Sequence, residues 1–556
     1  MSSPRILGAC LGKCVHAAGI LNFLRLAENL GYETEFMGPA VPIERFVSRI
    51  YETKPQLAVV SYRLTPEVAR ELFRDLKQEL QKKKISGVRF AFGGTPPVAE
   101  IAQTADIFEA VFSGEEPRET VVNYLKKKSH PAKVKQFAKS LVERINEQQP
   151  FSLLRHHLGL NTLEKTIEAA RQIALSQELD VLSIAPDQNA QEYFFRPRDM
   201  PTTGHGAGGV PVRTPEELRA IYQATRCGNF PLVRCYAGTN DLIQWAKMSV
   251  ETLNIAWGAI PLFWYSELDK RSERPLLEAI KENQATIKWY AQKKIPVEVN
   301  DSHQWSLRDA HDAVAVAVSF LAAYNARALG VRHYVSQYML NTPPEMSPAM
   351  DLAKMLAKME MIEALHNEHF TSFRQIRTGL RSMASELDAA KGQLAASITI
   401  GMALKPHIVH VVGYCEANYA AGASEILESC RITRGAIRLA IKGLPDVVDC
   451  SAVYRRKEQL MEEANLIIKA IQELGREVED PLIDPIVLEK AVRTGILDAP
   501  HLCGSKVAKG DVVTAPVEGC YVAIDPTTGK VLPEKERLAQ KKGDRFIFSS
   551  LVFPVL

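Results

Sequence analysis

The chain has 556 residues, 46% of them hydrophobic and 24% charged, too many for one core and apolar enough for several, so two or three domains are expected. Its 68 Lys and Arg against 65 Asp and Glu leave a formal charge of +3, and the basic runs at 81–84 and 126–128 fall in polar, helix-like surroundings and read as solvated faces, so no nucleic-acid partner is expected. Nine scattered cysteines without a CxxC pair, no basic-then-apolar leader and no apolar run near the ~20 residues of a membrane span set the expectation of a cytoplasmic protein with no membrane partner.

Residues 4–128 alternate short apolar runs, "RILGACLG", "TEFMG", "LAVVSYR", "VRFAFGG" and "FEAVFSG", with amphipathic helical patterns. Five strands with intervening helices predict a doubly wound, flavodoxin-like parallel sheet, whose ligands sit beyond the strand carboxyl ends. His16, in "LGKCVHAAGI", follows the first strand, Ser61 ends the third and Gly93-Gly94 end the fourth. A lone loop histidine reads first as a polar residue satisfied by backbone. Gly19 three residues on, the serine and the glycine pair favour a large flat ligand lying across the sheet edge instead.

The lysine-rich stretch 129–150 reads as a linker. From 151 to 440 strand candidates "FSLLR", "DVLSIAPD", "PLVRCYAG", "NIAWGAIPLFWY", "PVEVND", "VRHYVSQYM" and "IVHVVGY" alternate with long helices such as 306–329 and 347–366, the pattern of a (β/α)8 TIM barrel. An eighth strand falls near 371–378 or 195–205, with no clean signal at either. Residues 441–556, with a charged helix at 455–477 and the strands of "GDVVTAPVEGCYVAIDP", read as a small α+β cap.

The loop "CVHAAG" resembles the D-x-H-x-x-G loop of the cobalamin-binding domains of adenosylcobalamin mutases and corrinoid methyltransferases. His16 and Gly19 match, and Cys14 stands where that family has aspartate. The family's S-x-L becomes "SYR", so Ser61 matches while Arg63 replaces leucine, and Gly93-Gly94 keep the glycine pair. The resemblance implies cobalamin, in its adenosyl form, as cofactor, with His16 as the lower ligand of cobalt and Cys14, Gly19, Ser61, Gly93 and Gly94 around it. Cys14 is a weaker acceptor for the second ring N–H than a carboxylate.

Beyond that domain, "VEVNDSHQWSLRDAHDAVAVAV", "LGVRHYVSQY", "IVHVVGYCEANYAAGASEI" and "LEKAVRTGILDAPHLCGSKVAKG" resemble the large subunit of glutamate mutase, as if its two subunits were fused. By that resemblance Arg155 stands at the first substrate-gripping arginine, Ala190 and Gln191 at the second, and Tyr236, beside Arg234, at the third. No acid stands at the amine-binding glutamate, and Trp264 and Tyr265 fall at its tyrosines. Glu416 matches the ribose-binding glutamate, with Val412 at the lysine.

The implied activity is an adenosylcobalamin-dependent radical isomerase (mutase). Its substrate would be a small carboxylic acid other than glutamate, with Arg155, Arg234, Tyr236 and Glu416 at the site and His303 or Asp301 as acid help. A homodimer and a reactivating chaperone are the expected partners. The alternatives are a corrinoid methyltransferase, opposed by the absence of a four-helix cap before Arg5, and a non-catalytic cobalamin carrier or sensor. No lysine sits where a pyridoxal phosphate Schiff base would demand one.

Overall fold

The computed structural model describes residues 5–116, 118–127, 137–445, 448 and 450–541, and the chain divides into two compact units after residue 136. The first is built on five parallel strands, β1 (Arg5–Cys10), β2 (Glu33–Phe36), β3 (Leu57–Tyr62), β4 (Arg89–Gly94) and β5 (Ala110–Phe112), in the order β2-β1-β3-β4-β5. This is the doubly wound, flavodoxin-like sheet. Helices α1 (Ala18–Asn29), α2 (Ile43–Thr53), α3 (Pro66–Lys82) and α4 (Pro96–Thr104) connect the strands, and α5 (Arg118–Lys127) follows the last.

The continuous apolar run LAVVSY is buried at every position, as a central strand covered on both faces must be. Helix α3 starts with Pro66 at its first turn and buries Ala69, Leu72, Phe73 and Leu76, the i, i+3, i+4, i+7 stripe. Phe73 meets Phe92 and Phe108 edge-on, each at 5.2 Å between centroids. Truncating such a side chain costs ~3–5 kcal/mol.

The second unit is a (β/α)8 barrel of eight parallel strands: β6 (Leu153–Leu158), β7 (Val181–Ile184), β8 (Leu232–Cys235), β9 (Gly258–Ile260), β10 (Val297–Val299), β11 (His333–Leu340), β12 (Thr371–Thr378) and β13 (Ile408–His410). Neighbouring strands pair from β8 through β6 and β13 to β9, and the remaining seam is bridged where Ala256 N–H donates to the Val233 carbonyl at 2.7 Å. The strand with two candidate positions is 371–378; residues 195–205 form turns. The outward residue Ile376 packs on the helices, whereas inward Gln375 and Arg377 are polar, so an apolar alternation never develops.

Part of the stretch read as linker is helical. Leu141–Gln148 starts at Ser140, whose side chain accepts from Glu143 N–H, and Leu141 and Ile145 pack on Leu153, Val181, Leu232, Trp257, Val335 and Ile408. The helix thereby closes the barrel floor. The rest of that stretch, 129–136, and the end of the cap, 542–556, lie outside the described residues.

After the barrel come helices Ser451–Leu474, Pro485–Arg493 and Glu534–Gln540 and the antiparallel hairpin β14 (Val513–Val517) with β15 (Cys520–Ile524). They share one core with the barrel: Leu460, Ile467 and Leu488 belong to the same buried cluster as Val316 and Leu352. Buried Asp312, which starts the helix after β10, accepts from Tyr521 N–H of the hairpin at 3.0 Å and Arg456 Nη2 at 3.1 Å, with Lys354 Nζ 3.4 Å away. Among the described residues no helix is long and apolar enough to cross a membrane.

Candidate functional site

In the first unit the chain turns to opposite sides of the sheet after β1 and β3, which leaves a crevice at their carboxyl ends. The loop after β1 reaches into that region mainly on backbone bonds: Leu11 N–H donates to the Ser61 carbonyl at 3.2 Å, Gly12 N–H to Val41 at 2.9 Å, and Ala40 N–H to Cys14 at 2.9 Å. Gly12 adopts φ +64°, a left-handed turn that starts the excursion. The loop is therefore held on three sides before any ligand arrives.

His16 stands exposed on this loop, beside Val15 at 62% exposure, while Cys14 is fully buried beneath. The Cys14 Sγ lies 3.9 Å from His16 Nδ1, and no other partner holds the ring among the described residues. That leaves Nε2 free to ligate, with a long sulfur contact where a carboxylate would orient the ring more firmly. Cys10 donates to the His16 carbonyl at 3.7 Å, and burial, with Cys14 beside it, pushes its thiol up to about 11, so it stays neutral.

Ser61 is buried and pairs in register with Cys10 on one side and Gly93 on the other. A Cβ at Gly19 or Gly93 would meet open space, whereas one at Gly94 would lie 2.5 Å from the Tyr62 carbonyl and 2.7 Å from the Phe92 ring. Gly94 is thus needed for packing, and Gly19 and Gly93 leave room for something else. A free imidazole nitrogen, small residues along the neighbouring strand ends and a prefixed loop fit a corrinoid with a histidine below its cobalt.

In the second unit the barrel interior is polar. Arg155, Arg234, Glu298 and Gln375 come one from each alternate strand, the arrangement of a single barrel layer. Glu298 Oε2 accepts from Trp257 Nε1 at 2.8 Å and Arg234 Nη2 at 3.2 Å and lies 3.8 Å from Arg155 Nη1. Arg155 donates to Ser183 Oγ at 2.7 Å and Gln375 Oε1 at 2.9 Å. Both arginines and the glutamate are 1% exposed.

Burial alone would raise the Glu298 carboxyl, but Arg234, Arg155 and the Trp257 N–H hold it down at about 2. Burial and the Arg234 charge push Arg155 down to about 9 despite Glu298.

Two residues further along the same strands stand His157, Tyr236, Asn300 and Arg377, with His410 on β13 beside Arg377 in register. His157 stacks on Tyr236 at 4.8 Å, meets His410 edge-on at 4.3 Å, and has a ring nitrogen 2.7 Å from the Tyr236 hydroxyl. Burial first, then the surrounding arginines, drive His157 and His410 well below the usual imidazole range, so both are neutral. Burial likewise keeps Tyr236 a phenol, against the arginine charges that favour ionisation.

Glu416, after β13, accepts from Gly413 N–H at 3.0 Å through Oε1, which also lies 3.2 Å from His156 Nε2. Burial would raise its carboxyl; the hydrogen bond and charge of His156 bring it below the usual range. His303 pairs with Gln337 Nε2 at 2.9 Å and is neutral, chiefly through burial, with Arg377 reinforcing it. Asp301 receives the Leu262 and Phe263 N–H groups and is raised by burial to about 7.

The structure thus gathers Cys14, His16, Gly19, Ser61, Gly93 and Gly94 in one unit, and Arg155, Arg234, Tyr236 and Glu416 in the other. Arg155 and Arg234 lie buried and paired within the barrel, below the accessible layer, whereas His157, Tyr236 and Arg377 are partly exposed. Trp264 is fully buried, with Trp305 at 4.8 Å and the Arg308 guanidinium 3.9 Å over its ring. His157, Glu298, Arg377 and His410 carry no motif; only the barrel register, once β12 is placed, could have singled them out.

Residues 4–122 match the model of the B12 binding domain family, so the first unit is a cobalamin-binding domain and cobalamin is its cofactor. No curated protein sequence matches the chain. Among solved structures, a cobalamin-binding protein from Desulfitobacterium hafniense DCB-2 is 20% identical over 23% of this chain and 58% of its own, with a TM-score of 0.20, so the match spans little more than half of that relative. OxsB, a cobalamin-dependent S-adenosylmethionine radical enzyme with aqua-cobalamin and S-adenosylmethionine bound, is 10% identical over 89% of this chain and 71% of its own, with a TM-score of 0.18. At such scores neither bears on the chemistry, and the cofactor assignment rests on the family match.

Proposed function

We propose that this chain, whose first unit binds cobalamin, is an adenosylcobalamin-dependent radical isomerase for a small carboxylic acid other than glutamate, a fused counterpart of the two glutamate mutase subunits. The observation that carries the reading is the presence, in the same chain as a cobalamin-binding domain, of a barrel whose interior sets neutral imidazoles among arginines that leave it net cationic. Adenosylcobalamin, when bound, supplies a carbon-centred radical by homolysis of its cobalt–carbon bond.

The residues supply position, polarity and protection. His16 would ligate cobalt through Nε2, with Cys14 steadying the ring, and Gly19, Ser61, Gly93 and Gly94 would line the slot beside it. By the resemblance, Glu416 would take the hydroxyls of an adenosyl ribose. Arg155 and Arg234 hold a cationic layer that Glu298 neutralises only once, which favours an anionic substrate above it. Tyr236, as a neutral phenol, donates a hydrogen bond to the migrating group without giving up its proton. A barrel floor sealed by Leu141 and Ile145 keeps bulk water from that side. A homodimer and a reactivating chaperone belong to the same reading.

The test is to reconstitute the full chain with adenosylcobalamin and add candidate small acids under anaerobic conditions. An electron paramagnetic resonance signal that appears only with the right acid, with an isomeric product, is expected, and His16→Ala should abolish both. Methyl transfer without that signal would assign a corrinoid methyltransferase, and retention of cobalamin with neither outcome would leave a carrier.

A further inference from the structure

Arg377 is the one guanidinium of the three in the barrel interior with no hydrogen-bond or ion-pair partner among the described residues, and its Nε is buried and unsatisfied. A charged group with a buried donor atom left in that state is costly, so it is expected to meet an anion at its open side. On the next strand, in register, His410 is 1% exposed with both ring nitrogens unsatisfied. His157 lies against His410, two residues beyond Arg155 on β6. Three adjacent strands therefore converge a cation and two imidazoles on one place near the partly exposed end of the barrel.

The charges around that place select the anion. Glu298 is held by Arg155, Arg234, Trp257 and Gln375, and Glu416 is held through Oε1 by Gly413 N–H and His156. Three arginines, Arg155, Arg234 and Arg377, against these two carboxylates leave the place net cationic, which disfavours an ammonium group, and a guanidinium matches a carboxylate in a bidentate fork.

We propose that Arg377 and His410, backed by His157, seat the carboxylate of a small acid that bears no amino group. The inference rests on the isomerase reading for the reaction, but the binding itself can be measured without the cofactor. Arg155 and Arg234 then act from below as fixed charge, and the migrating part of the acid faces Tyr236.

The experiment uses the full chain with no corrinoid added and titrates isobutyrate, isobutyramide and 3-aminoisobutyrate, followed by ligand-observed NMR and calorimetry. Isobutyrate should bind saturably, and the amide and the amino acid about tenfold or more weaker. Arg377→Met should weaken isobutyrate by about 10- to 100-fold, the range for losing a charged hydrogen bond, and Arg377→Lys should restore part of it. His410→Phe, a substitution of similar shape, should weaken it as well.

No saturable isobutyrate binding, equal or tighter binding of the amino acid, or wild-type affinity in a folded Arg377→Met chain would each overturn the proposal. Urea midpoints establish that the variants fold. Cobalamin retention is measured on the same samples: retention with no carboxylate binding removes this inference alone. Carboxylate binding with no substrate-triggered radical signal in the loaded enzyme removes the isomerase reading alone.

Discussion

Glu298→Gln isolates the ion layer across the barrel. The substitution keeps size and one acceptor but puts an NH2 group among the Trp257, Arg234 and Gln375 donors and leaves two arginines, each 1% exposed, without a counter-charge. Breaking a buried pair by removing one partner costs ~3–5 kcal/mol. The carboxyl itself gives an independent figure: its fall from 4.5 to about 2 corresponds to about 3 kcal/mol of preference for the ionised form in the folded state. Because the folded value is the lower one, the unfolded chain takes up the proton first. This stabilisation is complete above about pH 4.5 and is lost as the pH falls towards 2.

Urea unfolding at pH 7 should therefore place Glu298→Gln at least ~3 kcal/mol below the natural chain. The gap should narrow as both are titrated from pH 5 towards pH 2, since only the natural chain carries that acid limb. Adding Arg234→Met to Glu298→Gln should recover part of the loss, because one uncompensated charge leaves with it. A gap under ~1 kcal/mol at pH 7, or one that does not change with pH, would refute the reasoning.

Several other substitutions probe the two units. Gly94→Ala should destabilise the first unit by ~1–3 kcal/mol through its clash with the Tyr62 carbonyl, while Gly93→Ala should leave the urea midpoint unchanged and lower cobalamin retention on gel filtration. His16→Ala should remove nitrogen coupling from the paramagnetic spectrum of bound cobalt(II) corrinoid, and Cys14→Asp should tighten retention by giving Nδ1 a stronger acceptor than a thiol 3.9 Å away. Glu416→Gln should lower turnover about tenfold or more with little change in unfolding free energy, since the amide oxygen still accepts from Gly413 N–H.

The first sheet was legible because its central strand is apolar throughout and its helices keep a regular apolar stripe. The barrel was legible where its strands carry apolar runs. It failed at β12, "TSFRQIRT", because there the inward positions belong to the polar network, and with that strand unplaced Arg377 could not be noticed. The helix Leu141–Gln148 looked like linker because only Leu141 and Ile145 need be apolar to seal a floor. His16, Ser61 and Glu416 were found by motif; His157 and His410 follow only from which strands are neighbours.

The junction at Asp312 bears on how this protein can be divided. One carboxylate takes donors from the C-terminal hairpin and from the long helix 451–474, and also faces Lys354 on the helix after β11. A gene fragment ending near residue 440 would leave Asp312 and Lys354 facing apolar surface newly laid bare, and would be recovered as aggregate. Any exchange of this barrel between proteins, in evolution or in the laboratory, must therefore bring its appendage along.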